Sequence, residues 1–192
     1  MNGTSLSLIF IFIASSVITM LFSVTSGGQS VSGHASPEYR PAGTMRNYFL
    51  GAWKLVSTEN RYPDGRAVPF AEFGPDATGF LMYTASGHMC AELMKPGRRR
   101  WADDSKPSDS EAADALNGFL SYCGTFELRE AEHVMVHRPL TSSAPNWVGT
   151  VQERPYHLVS ADRFFFRGQL KEKQKDGTEI PVTWTITWER LK

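Results

Sequence analysis

The sequence predicts an all-β protein, an antiparallel closed barrel of about eight strands with one short helix. From residue 49 onward, short runs of alternating apolar and polar residues are separated by turn residues at near-regular spacing. The turns carry their own chemistry: "YPDGR" and "KDGT" each hold an Asp-Gly pair, and "TASGH" is a short hairpin loop in which Gly87 is free to take positive φ. In the last run, Val182, Trp184, Ile186 and Trp188 alternate with Thr183, Thr185, Thr187 and Glu189, so one face points inward and the other meets water.

At 192 residues and 21.4 kDa the chain holds one packed domain with appendages. Residues 6–22, "LSLIFIFIASSVITMLF", carry no charge and are followed by small polar residues. They read as a signal peptide over residues 1–26, with cleavage after Ser26, or alternatively as a membrane anchor, since a run of this length also spans a bilayer. Either reading places the folded part in the secretory pathway, secreted or lumenal. Residues 27–45, rich in Gly, Ser and Pro, read as a disordered linker, and the barrel domain follows over 46–192. Its strands are expected at 50–60, 80–84, 88–94, 122–128, 134–138, 150–159, 164–170 and 181–191. One segment breaks the period. "SDSEAADALNGFL", 108–120, has apolar residues at helical spacing behind a Ser108-to-Glu111 capping box, and this helix is expected to plug or flank one end of the barrel.

Composition excludes several function classes. Twenty basic and twenty acidic residues give zero net charge, so neither nucleic acid nor an anionic membrane surface is an expected partner. The one basic run, Arg98-Arg99-Arg100, sits between Pro96-Gly97 and Asp103-Asp104 and reads as a solvated loop. The chain lacks a Gly-x-Ser-x-Gly elbow, a phosphate-binding glycine loop and a dinucleotide fingerprint, and no cofactor is expected. His133 and His137 on one strand would stand about 13 Å apart, too far to share a metal, so no metal site is expected. Cys90 and Cys123 fall on the outward faces of neighbouring strands, either as a disulfide or as two small, partly buried thiols.

The informative stretch is "PNWVGTVQERPYHL", residues 145–158, where alternation puts Thr150, Gln152, Arg154, Tyr156 and Leu158 on one face. A face both polar and apolar suits neither solvent nor a dry core. An arginine inside a barrel needs a partner, because an isolated buried charge costs several kcal/mol. Two readings stay open: a structural pair with Glu59, which alternation places on the face of Trp53, Leu55 and Ser57, or a ligand oxygen gripped by Gln152, Arg154 and a tyrosine. The expected lining is Tyr83, Met89, Phe126, Trp147, Tyr156, Leu158, Trp184 and Trp188, with Tyr122 and His137 beside Arg154 and Gln152 as the polar groups available to chemistry.

"LGAWKL" opens the first strand and "WERLK" ends the last, and this pairing resembles the lipocalin and calycin pattern. The resemblance implies that Trp53 closes the bottom of the barrel and that Arg190 packs on its ring. "FGPDATGFLMYTASGHMCAELMKPGR" and "FLSYCGTFEL", taken with residues 145–158, extend the likeness to small bacterial and fungal lipocalin-like domains over residues 49–192. Some fungal members of that group are pericyclases, among them hetero-Diels–Alderases of secondary metabolism. The resemblance therefore implies a cofactor-independent pericyclase or cyclase, working by proximity with Arg154, Gln152 or Tyr122 polarising a carbonyl and His137 shuttling a proton. The alternative is a secreted carrier that binds an apolar small molecule without chemistry. In either case the expected partner is an apolar small molecule with an oxygen function, and a homodimer is possible.

Overall fold

The computed structural model describes residues 39–192, so the signal or anchor segment and most of the expected linker lie outside the described residues. Its elements are α1 (Met45–Phe49), β1 (Gly51–Arg61), β2 (Ala67–Val68), β3 (Thr78–Tyr83), β4 (His88–Met94), α2 (Asp109–Asn117), β5 (Phe119–Arg129), β6 (Val134–Ser142), β7 (Gln152–Ser160), β8 (Arg163–Lys173) and β9 (Glu179–Arg190). All neighbours are antiparallel, in the order β2-β1-β3-β4-β5-β6-β7-β8-β9, and β1 also pairs with β9. That pairing closes eight strands into a barrel, with β2 a two-residue addition at the far end of β1. Closure leaves no long unpaired edge in the ring.

All eight expected strands form. Observed β6 runs four residues further than expected, to Ser142, and β7 starts at Gln152 rather than at Thr150. The short elements α1 and β2 had no sequence period to announce them. In α2 both arms of the capping box are made, Glu111 N donating to Ser108 Oγ and Ser108 N donating to Glu111 Oε2. No residue of α2 is buried; the helix flanks β5 and does not plug the barrel.

One face reverses against expectation. A bulge between Leu55 and Ser57 adds a residue to β1 relative to β9, and one extra residue flips every later side chain to the other face. Trp53 and Thr58 are buried, while Glu59 turns outward and pairs with Arg61 at 2.8 Å. Of the two readings left open for Arg154, the pair with Glu59 is therefore not formed.

The interior has two halves. Near the start of β1 and the end of β9, Phe49, Trp53, Tyr156 and Phe164 are wholly buried and meet edge to face, with Phe49 4.9 Å from Tyr156 and Trp53 4.7 Å from Phe164. Phe49 and Tyr48 come from α1, which closes this end; the Tyr48 hydroxyl donates to the carbonyls of Ser160 and Arg163. At the opposite end the connection after β2 brings Phe70 and Phe73 into the core, held where Phe70 N donates to Thr58 Oγ1 at 3.1 Å. Outside, Cys90 and Cys123 stand directly opposite each other on β4 and β5 and are joined by a disulfide.

Candidate functional site

The upper half of the barrel carries the buried polar groups. On β7 burial alternates strictly, Gln152, Arg154, Tyr156 and Leu158 inward, Glu153 and His157 outward, as the sequence pattern required. Arg154 is only 4 % exposed. Nη1 donates to the Glu153 carbonyl and Nη2 to Gln152 Oε1, each at 3.2 Å, and the guanidinium lies 5.7 Å from the ring centroids of both Trp147 and Trp184. Those partners, together with the Tyr122 oxygen, are neutral acceptors and two π faces. Among the described residues no carboxylate pairs with it: Glu153 turns out to Arg129, and Glu127 turns out to Arg129 and Arg138.

Gln152 extends this group upward, Nε2 donating to Thr150 Oγ1 at 2.7 Å and Thr150 Oγ1 donating to the Trp147 carbonyl at 2.8 Å. The loop before β7 is thereby tied to the strand that holds the arginine.

Below and beside Arg154 lies His137, on the β6 residue opposite Gln152. Its Nδ1 meets the Tyr122 hydroxyl at 2.9 Å and its Nε2 meets the Tyr83 hydroxyl at 2.7 Å. Burial, with the nearby Arg154 charge adding to it, pushes the imidazole well below the usual histidine range, so His137 is neutral at pH 7. Burial raises both phenols as well, Tyr83 with help from Tyr122, and Arg154 opposes the rise at each. A neutral imidazole has one donor and one acceptor, and a guanidinium only donates. Each hydroxyl meets one ring nitrogen, so one tyrosine donates to the imidazole, the other accepts from it, and the accepting tyrosine's own proton is left for the barrel interior.

Other expected lining residues divide between the two halves. Met89, Phe126 and Trp184 are buried, Phe126 edge to face with Tyr83 at 4.7 Å. Trp147 is half-buried on the β6–β7 connection and packs on Tyr122 at 5.3 Å. Tyr156, Leu158 and Trp188 belong to the lower aromatic layer, because each pairs across strands with it: Tyr156 with Phe166, and Leu158 and Trp188 with Phe164. His133 lies in a turn after β5 with its ring stacked on Tyr156, far from the two-histidine arrangement a metal would need. Among the described residues no group of His, Cys, Asp and Glu is placed to hold a metal ion.

Gly168 is a site residue the sequence did not single out. It faces Trp184 across β8 and β9, and a Cβ there would lie 2.5 Å from the indole. The missing side chain lets the indole lie flat on the wall. A glycine interrupting an alternating strand is the signal that points to such close approach. Among the described residues Trp184 Nε1 and, in the lower layer, Trp188 Nε1 are buried without an acceptor, and Asn60 Oδ1, opposite Trp184, is buried without a donor.

The closed end has the geometry expected of Trp53 and Arg190. The guanidinium stands 4.1 Å from the Trp53 ring centroid, donates to the carbonyls of Leu50 and Tyr48, and pairs with Asp162 at 3.4 Å. Trp53 Nε1 donates to the Phe49 carbonyl at 2.8 Å. Gly51, beside Arg190, has φ +111, a conformation glycine alone adopts readily. A family model described as a lipocalin-like domain matches residues 50–191.

The chain belongs to the lipocalin-like domain family.

Within the curated proteins it is similar to a 4'-hydroxy-3'-methoxypropiophenone carrier protein of Aspergillus oryzae, 32% identical over 78 residues, which cover 36% of this chain and 70% of that protein. The lipocalin-like barrel accounts for the division of the interior: one end sealed by α1 and the Trp53–Arg190 contact, the other lined by groups that can meet a ligand.

Proposed function

We propose that this lipocalin-like barrel binds one small, largely apolar aromatic molecule through an oxygen function and acts as its carrier in secondary metabolism. The observation that carries the reading is Arg154, a buried guanidinium with donors to spare, set between two indoles and next to a hydroxyl–imidazole–hydroxyl chain. A mostly apolar enclosure with a few convergent polar groups is how small-molecule sites are built. The similar Aspergillus oryzae protein is named as a carrier of an aryl ketone, which has an aromatic ring and oxygen acceptors of this kind. The uncharged apolar run at 6–22 and the Cys90–Cys123 disulfide support a secretory setting for the binding.

A second reading, a cofactor-independent cyclase of the hetero-Diels–Alderase kind, is favoured by the Tyr83–His137–Tyr122 chain. In that reading Arg154 polarises the substrate oxygen, the free phenol proton of the chain leaves with the benzylic hydroxyl of an o-hydroxybenzyl alcohol as water, and the substrate's own phenol proton returns to that tyrosine. The resulting quinone methide then adds an alkene, forming one C–C and one C–O bond with no net proton change.

Titration of the barrel with 4'-hydroxy-3'-methoxypropiophenone, followed by tryptophan fluorescence, tests the first reading, since Trp147 and Trp184 flank the grip. A saturable one-to-one change supports it, and strictly linear, non-saturating quenching refutes it. Incubation with an o-hydroxybenzyl alcohol and an electron-rich alkene tests the second. Cyclic product forming no faster than in buffer leaves a binding protein.

A further inference from the structure

We infer that the upper half of the barrel takes its ligand as an aromatic oxyanion, a ring-conjugated phenolate or enolate whose charge is held by Arg154. This rests on the binding reading above and adds the ionic state of the ligand.

The inference comes from the charge balance of the interior. Arg154 is taken from water, and its hydrogen bonds, to a backbone carbonyl, to Gln152 and to the Tyr122 oxygen, leave part of its five N–H groups for a ligand. A buried ion is tolerated when an opposite charge and further hydrogen bonds offset its desolvation. The acids nearest in the fold are committed elsewhere, Glu59 to Arg61, Glu153 to Arg129, and Glu127 to Arg129 and Arg138, all on the outer surface.

The titratable groups that face Arg154 are Tyr122 from β5, His137 from β6 and Tyr83 from β3, and each is held neutral by burial. None supplies a negative charge. What they and their neighbours supply is donors: the remaining Arg154 N–H groups, one phenol proton of the Tyr83–His137–Tyr122 chain and the unpartnered Nε1–H of Trp184. The unpartnered acceptor on this side is Asn60 Oδ1, part of an amide that can present either end.

A neutral ketone would use one or two of these donors and leave the charge in place, whereas an oxyanion accepts several at once and cancels it. The indoles of Trp147 and Trp184 on either side of the guanidinium favour a flat, conjugated anion over an aliphatic carboxylate.

The experiment uses 4-hydroxyacetophenone, whose phenolate absorbs at longer wavelength than the phenol, and its O-methyl ether, which cannot ionise. Absorbance is read against pH with and without the disulfide-intact protein. The expected result is an apparent phenol pKa about 1–3 units lower when bound, the shift a cation at close range imposes on an acid. The phenol then gains affinity over the ether as pH rises past the shifted pKa, reaching about 10- to 1000-fold above the pKa of the free phenol. Arg154→Gln should abolish the shift and Arg154→Lys should retain part of it; the wild-type shift reads the proposal even where a variant fails to fold.

Equal, saturable binding of phenol and ether with no spectral shift overturns the anion and leaves the carrier reading intact. Absence of saturable binding for either probe overturns both. Preference for 4-methoxybenzoate over the phenol also overturns the assignment, because it places the charge on a carboxylate outside the conjugated ring system proposed.

Discussion

Gly168→Ala is the smallest change that should reach the site. The backbone there is extended and pairs with Trp184, so alanine meets no φ restriction, and loss of a glycine alone would stabilise by about 0.4–1 kcal/mol through the unfolded chain. Against that gain, the new methyl would stand 2.5, 2.7 and 2.9 Å from Cζ2, Cε2 and Nε1 of the Trp184 indole, where ordinary contact begins at 3.4 Å. The ring must move inward by roughly 1 Å, toward the guanidinium of Arg154, and overpacking of this kind costs about 1–3 kcal/mol. The cost exceeds the gain. Net destabilisation of about 0.5–2 kcal/mol should lower Tm by a few degrees in a domain of this size. Ligand affinity should fall with it, since the displaced indole enters the space beside Arg154. Thermal melts and fluorescence titrations of Gly168→Ala, Trp184→Phe and the double variant form the assay. The smaller ring should relieve the clash, so the two changes should couple favourably by about 0.5 kcal/mol or more. A Gly168→Ala protein as stable as wild type, with unchanged binding and additive behaviour alongside Trp184→Phe, would refute the placement of the indole on this wall.

At the sealed end, Trp53→Ala removes a wholly buried ring and leaves the Phe49 carbonyl without its donor, for a loss of about 4–6 kcal/mol in urea unfolding; Arg190→Ala should cost less, and a melt within error of wild type for both would contradict the closing contact. The depressed His137 pKa gives a signed pH dependence. The folded state excludes a proton that the unfolded chain binds near 6.5, so the contribution is full above that value and is lost at up to about 1.4 kcal/mol per pH unit as pH falls toward the lower folded pKa. Urea melts between pH 8 and pH 5 should therefore show a steeper acid loss for wild type than for His137→Gln, and a His137 imidazole NMR signal titrating near pH 6.5 would rule the mechanism out.

Much of the site was legible because strand alternation is a local property. Gln152 and Arg154 share a face for the reason any two residues two apart in a strand do, and no later packing altered that. The capping box of α2 is equally local, since Ser108 and Glu111 meet within one turn. The closing pair Trp53 and Arg190 was readable from motif likeness at the two chain ends, although period-2 patterning alone does not bring residues so far apart in sequence together.

The sequence by itself determined that this is an antiparallel β-barrel, which faces of its strands turn inward apart from β1 beyond its bulge, and that an arginine lies on one of them. The tertiary structure decided what that arginine meets. A single extra residue at the β1 bulge turned Glu59 out to Arg61 and removed the expected carboxylate from the interior. Barrel closure brought Tyr83, Tyr122 and His137 from three strands into one hydrogen-bonded chain and divided the mixed face of β7 between a polar upper half and an aromatic plug. Bulges and cross-barrel contacts depend on how strands register and close, a non-local balance of ladder hydrogen bonds and packing that no window of sequence contains.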